Sequence, residues 1–199
     1  MNREQFRARL AKYKLIASVK EAKHLEKAAE ANLSAAVLSI GNIGVIKGYV
    51  DYFKAKNIPV FLHLERIGGI SHDREGIAFL GHYVKPDGIV TTRNTLVKLA
   101  KKQGLLTIQR LFLVDSDSIK SGLTSLQDTQ PDAVELMPGL LPEFIEEFRS
   151  VIDTPIISGG LIRKREQMEE VLKHGATAVS VGSPLLWKEC KNLDSSVVI

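Results

Sequence analysis

Pro155-Ile-Ile-Ser-Gly-Gly-Leu-Ile162 and Ala178-Val-Ser-Val-Gly-Ser183 are two short apolar runs that end abruptly in glycine and serine. Uninterrupted apolar residues are typical of a strand that is buried on both faces. The glycines allow backbone N–H groups to approach a ligand closely, because no Cβ stands in the way. Two such turns in succession, each leading into a helix, are typical of the phosphate site after the last two strands of an eight-stranded α/β barrel. They therefore predict a phosphate-bearing ligand, although tight turns alone would also explain the glycines. The predicted contacts are Gly159, Gly160, Gly182 and Ser183.

Six other apolar runs precede these two and predict six more strands. The eight predicted strands cover residues 15–19, 36–40, 60–64, 88–92, 106–110, 133–137, 155–158 and 178–181. Segments of helical periodicity fill most of the gaps, at residues 21–31, 45–56, 75–83, 95–102, 142–151 and 165–173. Strict alternation of strands and helices indicates a parallel sheet with helices outside it.

Eight strand–helix units in 199 residues leave little room for insertions. We therefore predict an α/β fold, a compact (β/α)8 TIM-type barrel of parallel strands, with an open doubly wound sheet as the alternative. The predicted organisation is one domain over residues 1–199, with a short N-terminal helix at 1–11 and a frayed tail at 192–199.

The composition is that of an ordinary globular protein, 44% hydrophobic and 25% charged. No apolar run is long enough to span a bilayer, and the first residues do not resemble a signal peptide. The single cysteine, Cys190, excludes an internal disulfide and a cysteine-rich metal site. We therefore expect a cytoplasmic protein. The net charge of +4 permits an acidic partner without requiring one.

Polar residues stand at the predicted carboxyl ends of several strands, where the ligand chemistry of a barrel is located. The candidate ligand contacts there are His63, Glu65, Arg93, Arg110 and Glu135. Unpaired charges are costly to bury, so these residues either form ion pairs with one another or face a polar ligand. Adjacent Gln109 and Arg110 cannot both point inward, because side chains alternate along a strand, and the sequence leaves that choice open.

The sequence lacks the residues that several kinds of catalysis require. No lysine lies inside a predicted strand, which disfavours an enzyme that forms a Schiff base. A Gly-x-Ser-x-Gly motif is absent, so we predict no catalytic residues. No two histidines have metal-ligand spacing on one element, so we predict no metal site. A proton-transfer enzyme that uses Glu65, Glu135 or His63 is an alternative that the sequence leaves open.

Four longer motifs occur in order along the chain. They are Lys85-Pro-Asp-Gly-Ile-Val-Thr-Thr-Arg93, Ile108-Gln-Arg-Leu-Phe-Leu-Val-Asp-Ser116, Val134-Glu-Leu-Met-Pro-Gly139 and Pro155-Ile-Ile-Ser-Gly-Gly-Leu-Ile-Arg163. With these motifs the chain resembles, from about Ile16 to Trp187, the glycerol-3-phosphate-responsive antiterminators of bacterial glycerol uptake operons. The resemblance implies a barrel that binds glycerol 3-phosphate as its effector, with no cofactor and no enzymatic activity. It also implies binding to the leader mRNA of a glycerol operon, which lets transcription pass a terminator.

Two positions depart from the expected family pattern. His63-Leu-Glu65 stands where His-x-Asp is expected, which affects how the glycerol end would be held. Val181-Gly182 stands where threonine or serine is expected, which makes the turn more like a general phosphate site.

A surface for RNA is only weakly marked in the sequence. The basic clusters are Arg3, Arg7, Arg9, Lys12 and Lys14, then Lys98, Lys101 and Lys102, and finally Arg163, Lys164 and Arg165. Basic side chains can neutralise backbone phosphates, but such clusters are also common on solvated helices. We expect the last cluster, beside the phosphate turn, to contact RNA.

The sequence is compatible with a homo-oligomer. The alternatives are an isomerase or lyase for a small phosphorylated metabolite and a structural subunit that binds phosphate.

Overall fold

The computed structural model describes residues 1–189, in which eight parallel strands form a closed barrel in chain order. The strands are β1 (Leu15–Val19), β2 (Ala35–Leu38), β3 (Val60–His63), β4 (Gly88–Thr91), β5 (Leu106–Phe112), β6 (Ala133–Met137), β7 (Ile156–Gly159) and β8 (Ala178–Val181). β8 pairs with β1 and closes the cylinder, with Ile16 beside Ser180. The predicted (β/α)8 barrel is confirmed, and the open sheet is wrong. Cys190 and the tail at 192–199 lie outside the described residues.

One helix precedes β1, and the others follow the strands and surround the barrel. They are α1 (Arg3–Tyr13), α2 (Leu25–Ala29), α3 (Ile46–Lys54), α4 (Arg74–Phe79), α5 (Asn94–Lys102), α6 (Ser116–Thr129), α7 (Pro142–Val151), α8 (Arg165–Lys173) and α9 (Pro184–Glu189), with 3-10 turns at Ala22–His24 and Leu64–Arg66 and a π-helical turn at Leu80–Val84. Within residues 1–189 no helix has the length and apolar character needed to cross a membrane.

Helix α6 has no counterpart among the predicted helices. Its sequence is rich in serine, threonine and aspartate, which favour turns and caps over helix interiors. The helix forms because Asp115 and Ser118 make a capping box at its start and because Leu126 is buried against the barrel. That capping box was the local signal by which the helix could have been found.

The barrel interior is apolar at the amino ends of the strands. Phe6 and Leu10 of α1 close this end, and the Phe6 ring lies 4.7 Å from the Phe61 ring. Gly88 makes room for that ring, since a Cβ on Gly88 would lie 2.4 Å from it. The polar residues are therefore concentrated at the opposite, carboxyl ends of the strands, where a ligand site is expected.

The basic residues of α1 hold the helix in place. Arg9 donates to the carbonyl oxygens of Leu33, at 2.9 Å, and Ser34, at 3.1 Å. Arg7 donates to the carbonyl oxygen of Asp153. Arg7 and Arg9 of the first basic cluster therefore serve the fold, at the end of the barrel opposite the strands' carboxyl ends.

Candidate ligand-binding site

A cavity of about 900 Å³ opens at the carboxyl ends of the strands. Its lining residues are Ser18, Lys20, Ser39, His63, Arg66, Arg110, Phe112, Met137, Pro138, Gly160, Leu161, Ile162, Arg163, Ser180, Val181, Gly182 and Ser183. The cavity thus combines both predicted glycine turns with two of the predicted polar residues, His63 and Arg110. A second, smaller cavity lies beside α1 at the other end and contains none of the predicted site residues.

The glycines of the two turns have different structural roles. Gly160 has a φ of +80°, a conformation that strains any other residue. A Cβ on Gly159 would lie 2.7 Å from Glu135 Oε1, so that glycine serves packing inside the barrel and is not part of the cavity lining. A Cβ on Gly182 would meet nothing closer than 3.7 Å, so its turn leaves open space at the cavity.

Lys20 is a residue of this site that the sequence did not identify. It directly follows β1, and its Nζ would lie 3.8 Å from a Cβ on Gly182. The lysine lies beside the second glycine turn because β1 and β8 are neighbours in the closed barrel. An ammonium group there favours an anion. The signal that could have found it was its place immediately after the first strand.

The floor of the cavity contains a buried ion pair. Arg110 Nε lies 2.7 Å from Glu135 Oε2, and the two side chains are only 7% and 2% exposed. Arg110 and Glu135 are register partners on β5 and β6, which brings the pair together. Gln109 points outward, and its Nε2 donates to Asn94 of α5 at 2.9 Å. The structure therefore decides the open choice in favour of Arg110 as the inward residue.

His63 lies between charged neighbours. Arg110 Nη1 is 3.1 Å from His63 Nε2, Glu65 Oε2 is 3.6 Å from the same nitrogen, and Ser39 Oγ is 3.2 Å from Nδ1. Burial lowers the pKa of His63 to about 4, and the Arg110 guanidinium adds to that effect. The ring is therefore neutral at pH 7 and offers one hydrogen-bond donor and one acceptor.

Glu65 is held by β4. The Thr91 hydroxyl donates to Glu65 Oε1, and the Thr92 N–H donates to the same oxygen at 3.3 Å. Burial raises the pKa of Glu65, but these hydrogen bonds outweigh it and hold the pKa below its usual range. Glu65 Oε2 and Glu135 Oε1 are buried and accept no hydrogen bond from the residues described. Both oxygens are therefore unused acceptors that lie outside the lining of the cavity.

The remaining predicted residues lie at or beyond the rim. Arg93 is exposed, precedes α5 and is not part of the cavity lining, so it is not brought together with Arg110 and Glu135. Arg163 lines the cavity. The backbone N–H groups of Arg163 and Lys164 both donate to Gln167, and Arg165 pairs with Glu169 at 2.7 Å. Residues 1–189 contain no cluster of histidine, cysteine, aspartate or glutamate that could hold a metal ion.

The low pKa of His63 makes stability depend on pH. The folded pKa is about 4 and the unfolded value is about 6.5, so the unfolded chain binds a proton first as the pH falls. Stability should therefore decrease from about pH 6.5 to pH 4, by at most about 3 kcal/mol because solvent still reaches the ring. His63→Gln should reduce this decrease, as measured by urea unfolding across that range. His82→Gln, at an exposed position, is the control. An unchanged pH dependence in His63→Gln would contradict the assignment.

Fold and cavity together define a class of protein, the (β/α)8 barrels with an electropositive ligand cavity at the carboxyl ends of the strands. Residues 15–187 match the family model described as glycerol-3-phosphate responsive antiterminator, and the chain belongs to that family. The family is one of regulatory proteins. The resemblance inferred from the four sequence motifs is confirmed.

Solved structures agree with this assignment. The chain is 35% identical to the glycerol uptake operon antiterminator regulatory protein of Listeria monocytogenes, with a TM-score of 0.83 over 88% of this chain and 95% of the other. It is 26% identical to a glycerol uptake operon antiterminator-related protein of Thermotoga maritima, with a TM-score of 0.77 over 87% and 97% of the two chains. A curated relative, the uncharacterized protein YgcP of Escherichia coli, is 30% identical over 90% of this chain and 94% of its own length.

Proposed function

We propose that this protein is a cytoplasmic transcription antiterminator that binds glycerol 3-phosphate in the cavity and an operon leader mRNA at its surface. The observation that carries the ligand assignment is one cavity with two glycine turns and cations on one side and with His63 and Arg110, backed by the carboxylates of Glu65 and Glu135, on the other. Glycerol 3-phosphate has the matching chemistry, since its phosphate is at one end of a three-carbon chain and its two hydroxyl groups are on the other two carbons.

The phosphate is assigned to the side formed by β7, β8 and β1. The turns at Gly160 and at Gly182 and Ser183 leave the backbone accessible there, and Lys20 and Arg163 supply positive charge. No ion pair within residues 1–189 involves Lys20 or Arg163. An incoming phosphate therefore does not have to displace a carboxylate.

The hydroxyl groups are assigned to the floor. Behind the lining residues His63 and Arg110, Glu65 Oε2 and Glu135 Oε1 are acceptors without a donor, which a ligand hydroxyl reaches once these lining side chains shift. Neutral His63 lies beside them, with Nε2 facing Arg110 and Nδ1 facing Ser39. Glu65 replaces the expected aspartate, and its longer side chain reaches Thr91 on β4 while Oε2 stays directed at His63.

A regulatory role fits this floor better than catalysis. None of the eight strands contains a lysine, and Lys20 lies in an exposed position after β1, so the site lacks the buried amine that Schiff-base chemistry requires. Glu135 Oε2 is paired with Arg110 at 2.7 Å, so this carboxylate already has a partner within the fold. An effector controls RNA binding when it binds the RNA-competent state more tightly than the other state.

Glycerol 3-phosphate is expected to raise the melting temperature. A ligand at about one hundred times its dissociation constant stabilises by roughly 2.7 kcal/mol, which corresponds to about 5 to 10 °C for a chain of this size. Thermal shift and calorimetry should show this effect with glycerol 3-phosphate and a much smaller one with glycerol or inorganic phosphate. A gel shift with a terminator-hairpin leader should show RNA binding that increases with the effector. No melting shift would contradict the ligand assignment, and turnover of triose phosphates would favour an isomerase or lyase.

A further inference from the structure

We infer that leader RNA docks on the rim of the ligand cavity itself, over the turns that follow β5 and β7, so that effector and RNA share one end of the barrel. This inference rests on the proposed function and adds the location of the RNA. Its first support is the pattern of charge on the molecule.

Several residues of the other two basic clusters are already engaged within the fold. Arg7 and Arg9 hold α1 at the opposite end of the barrel. Lys98 pairs with Asp128 at 2.8 Å, and Lys101 donates to the carbonyl oxygens after α6. Two of the three basic clusters in the sequence are thus largely used within the fold.

The cavity rim has more positive charge than one small ligand requires. Its lining residues include four cations and no carboxylate, and Arg110 is the one that Glu135 neutralises. Lys20, Arg66 and Arg163 are left, and none of them takes part in an ion pair within residues 1–189. A phosphate monoester has a charge of about −1.5 to −2 at neutral pH, so positive charge remains for a polyanion.

The same rim exposes apolar side chains. Phe112 at the end of β5 is 53% exposed, and Val114, two residues further on, is 80% exposed. Leu161 lies across the cavity in the turn after β7, and it is exposed although its φ of 62° is unfavourable for leucine. Leu161 thus adds an exposed apolar side chain, held in a strained turn, to the surface that Phe112 and Val114 offer to a partner.

Aromatic and apolar surfaces edged by arginine and lysine fit single-stranded RNA. Unpaired bases stack on exposed aromatic rings, and cations bind the backbone between them. In this arrangement the turn from Gly160 to Lys164 contacts both the effector and the RNA. Gly160, Leu161 and Arg163 all line the cavity, and Leu161 is also exposed. Ligand binding can thereby bias the surface that receives RNA.

Two matched pairs of variants test the location. Phe112→Ala is compared with Tyr83→Ala, since Tyr83 is 57% exposed on the helical ring. Val114→Ser is compared with Val151→Ser, since Val151 is 52% exposed at the end of α7. RNA affinity is measured by gel shift with saturating glycerol 3-phosphate, and effector affinity is measured by calorimetry.

Phe112→Ala should weaken RNA binding about tenfold or more. Val114→Ser should weaken it severalfold and leave effector affinity within about twofold, because Val114 is outside the cavity lining. The Tyr83 and Val151 variants should bind RNA like the wild type. If the wild type binds RNA and the rim variants do so equally well, the docking site is wrong and the proposed function stands. If the rim variants bind RNA normally but fail in a transcription assay, the rim contacts a protein instead. A wild type that binds effector but no leader RNA overturns both.

Discussion

Replacing Gly182 with aspartate is expected to weaken glycerol 3-phosphate binding by at least about one hundredfold and to leave the barrel folded. The expected loss follows from charge, because a carboxylate at this turn repels the ligand phosphate and offers Lys20 an alternative partner. The fold should tolerate the change, since a Cβ on Gly182 has Ser18 O at 3.7 Å and Lys20 Nζ at 3.8 Å as its nearest neighbours. Calorimetry measures the affinity, and thermal unfolding without ligand measures the fold.

Gly182→Ala is the matched control, because it adds the Cβ without the charge. It should bind within about fivefold of the wild type, since the contacts of that Cβ are ordinary ones. Gly160→Asp is a weaker test, because the φ of +80° at Gly160 strains every substitution and confounds folding with binding. Wild-type affinity in Gly182→Asp, with a folded barrel, would place the phosphate elsewhere.

The barrel itself was predictable because each strand is a short run rich in apolar residues. Three predicted strands, 15–19, 133–137 and 178–181, have the same bounds in the structure. A strand that is buried on both faces appears in the sequence as a few adjacent apolar residues, so the apolar pattern is enough to locate it. Helix α6 was missed because its helical content comes from capping at Asp115 and from packing of Leu126, whereas its local composition favours turns.

The candidate site was predictable only in part, because its geometry depends on closure of the barrel. The glycine turns and His63 could be located from strand ends alone. Lys20 lies at the site because β1 pairs with β8. No local sequence pattern indicates that these two strands are neighbours. Arg93 was assigned to the site because it follows β4. In the structure, the backbone at Arg93 turns outward to begin α5.

Arg110→Met is expected to reduce the free energy of unfolding by about 3 to 5 kcal/mol, because it leaves Glu135 buried without its partner. Glu135 is 2% exposed, and its Oε1 already lacks a hydrogen-bond partner within the described structure, so no neighbouring donor compensates. The melting temperature should fall by roughly 10 °C. Urea unfolding provides the free energy directly.

The double variant Arg110→Met/Glu135→Leu separates stability from ligand recognition. Apolar residues in place of a buried ion pair are often neutral or stabilising, so most of the lost stability should return. Glycerol 3-phosphate affinity should stay at least about tenfold lower, because the floor then lacks a hydrogen-bond acceptor and the Arg110 contact to His63. If the double variant regains both stability and affinity, the ion pair is only structural and the hydroxyl groups bind elsewhere. If Arg110→Met alone costs less than about 1 kcal/mol, water reaches Glu135 and the floor is not the dry, polar surface that the ligand assignment requires.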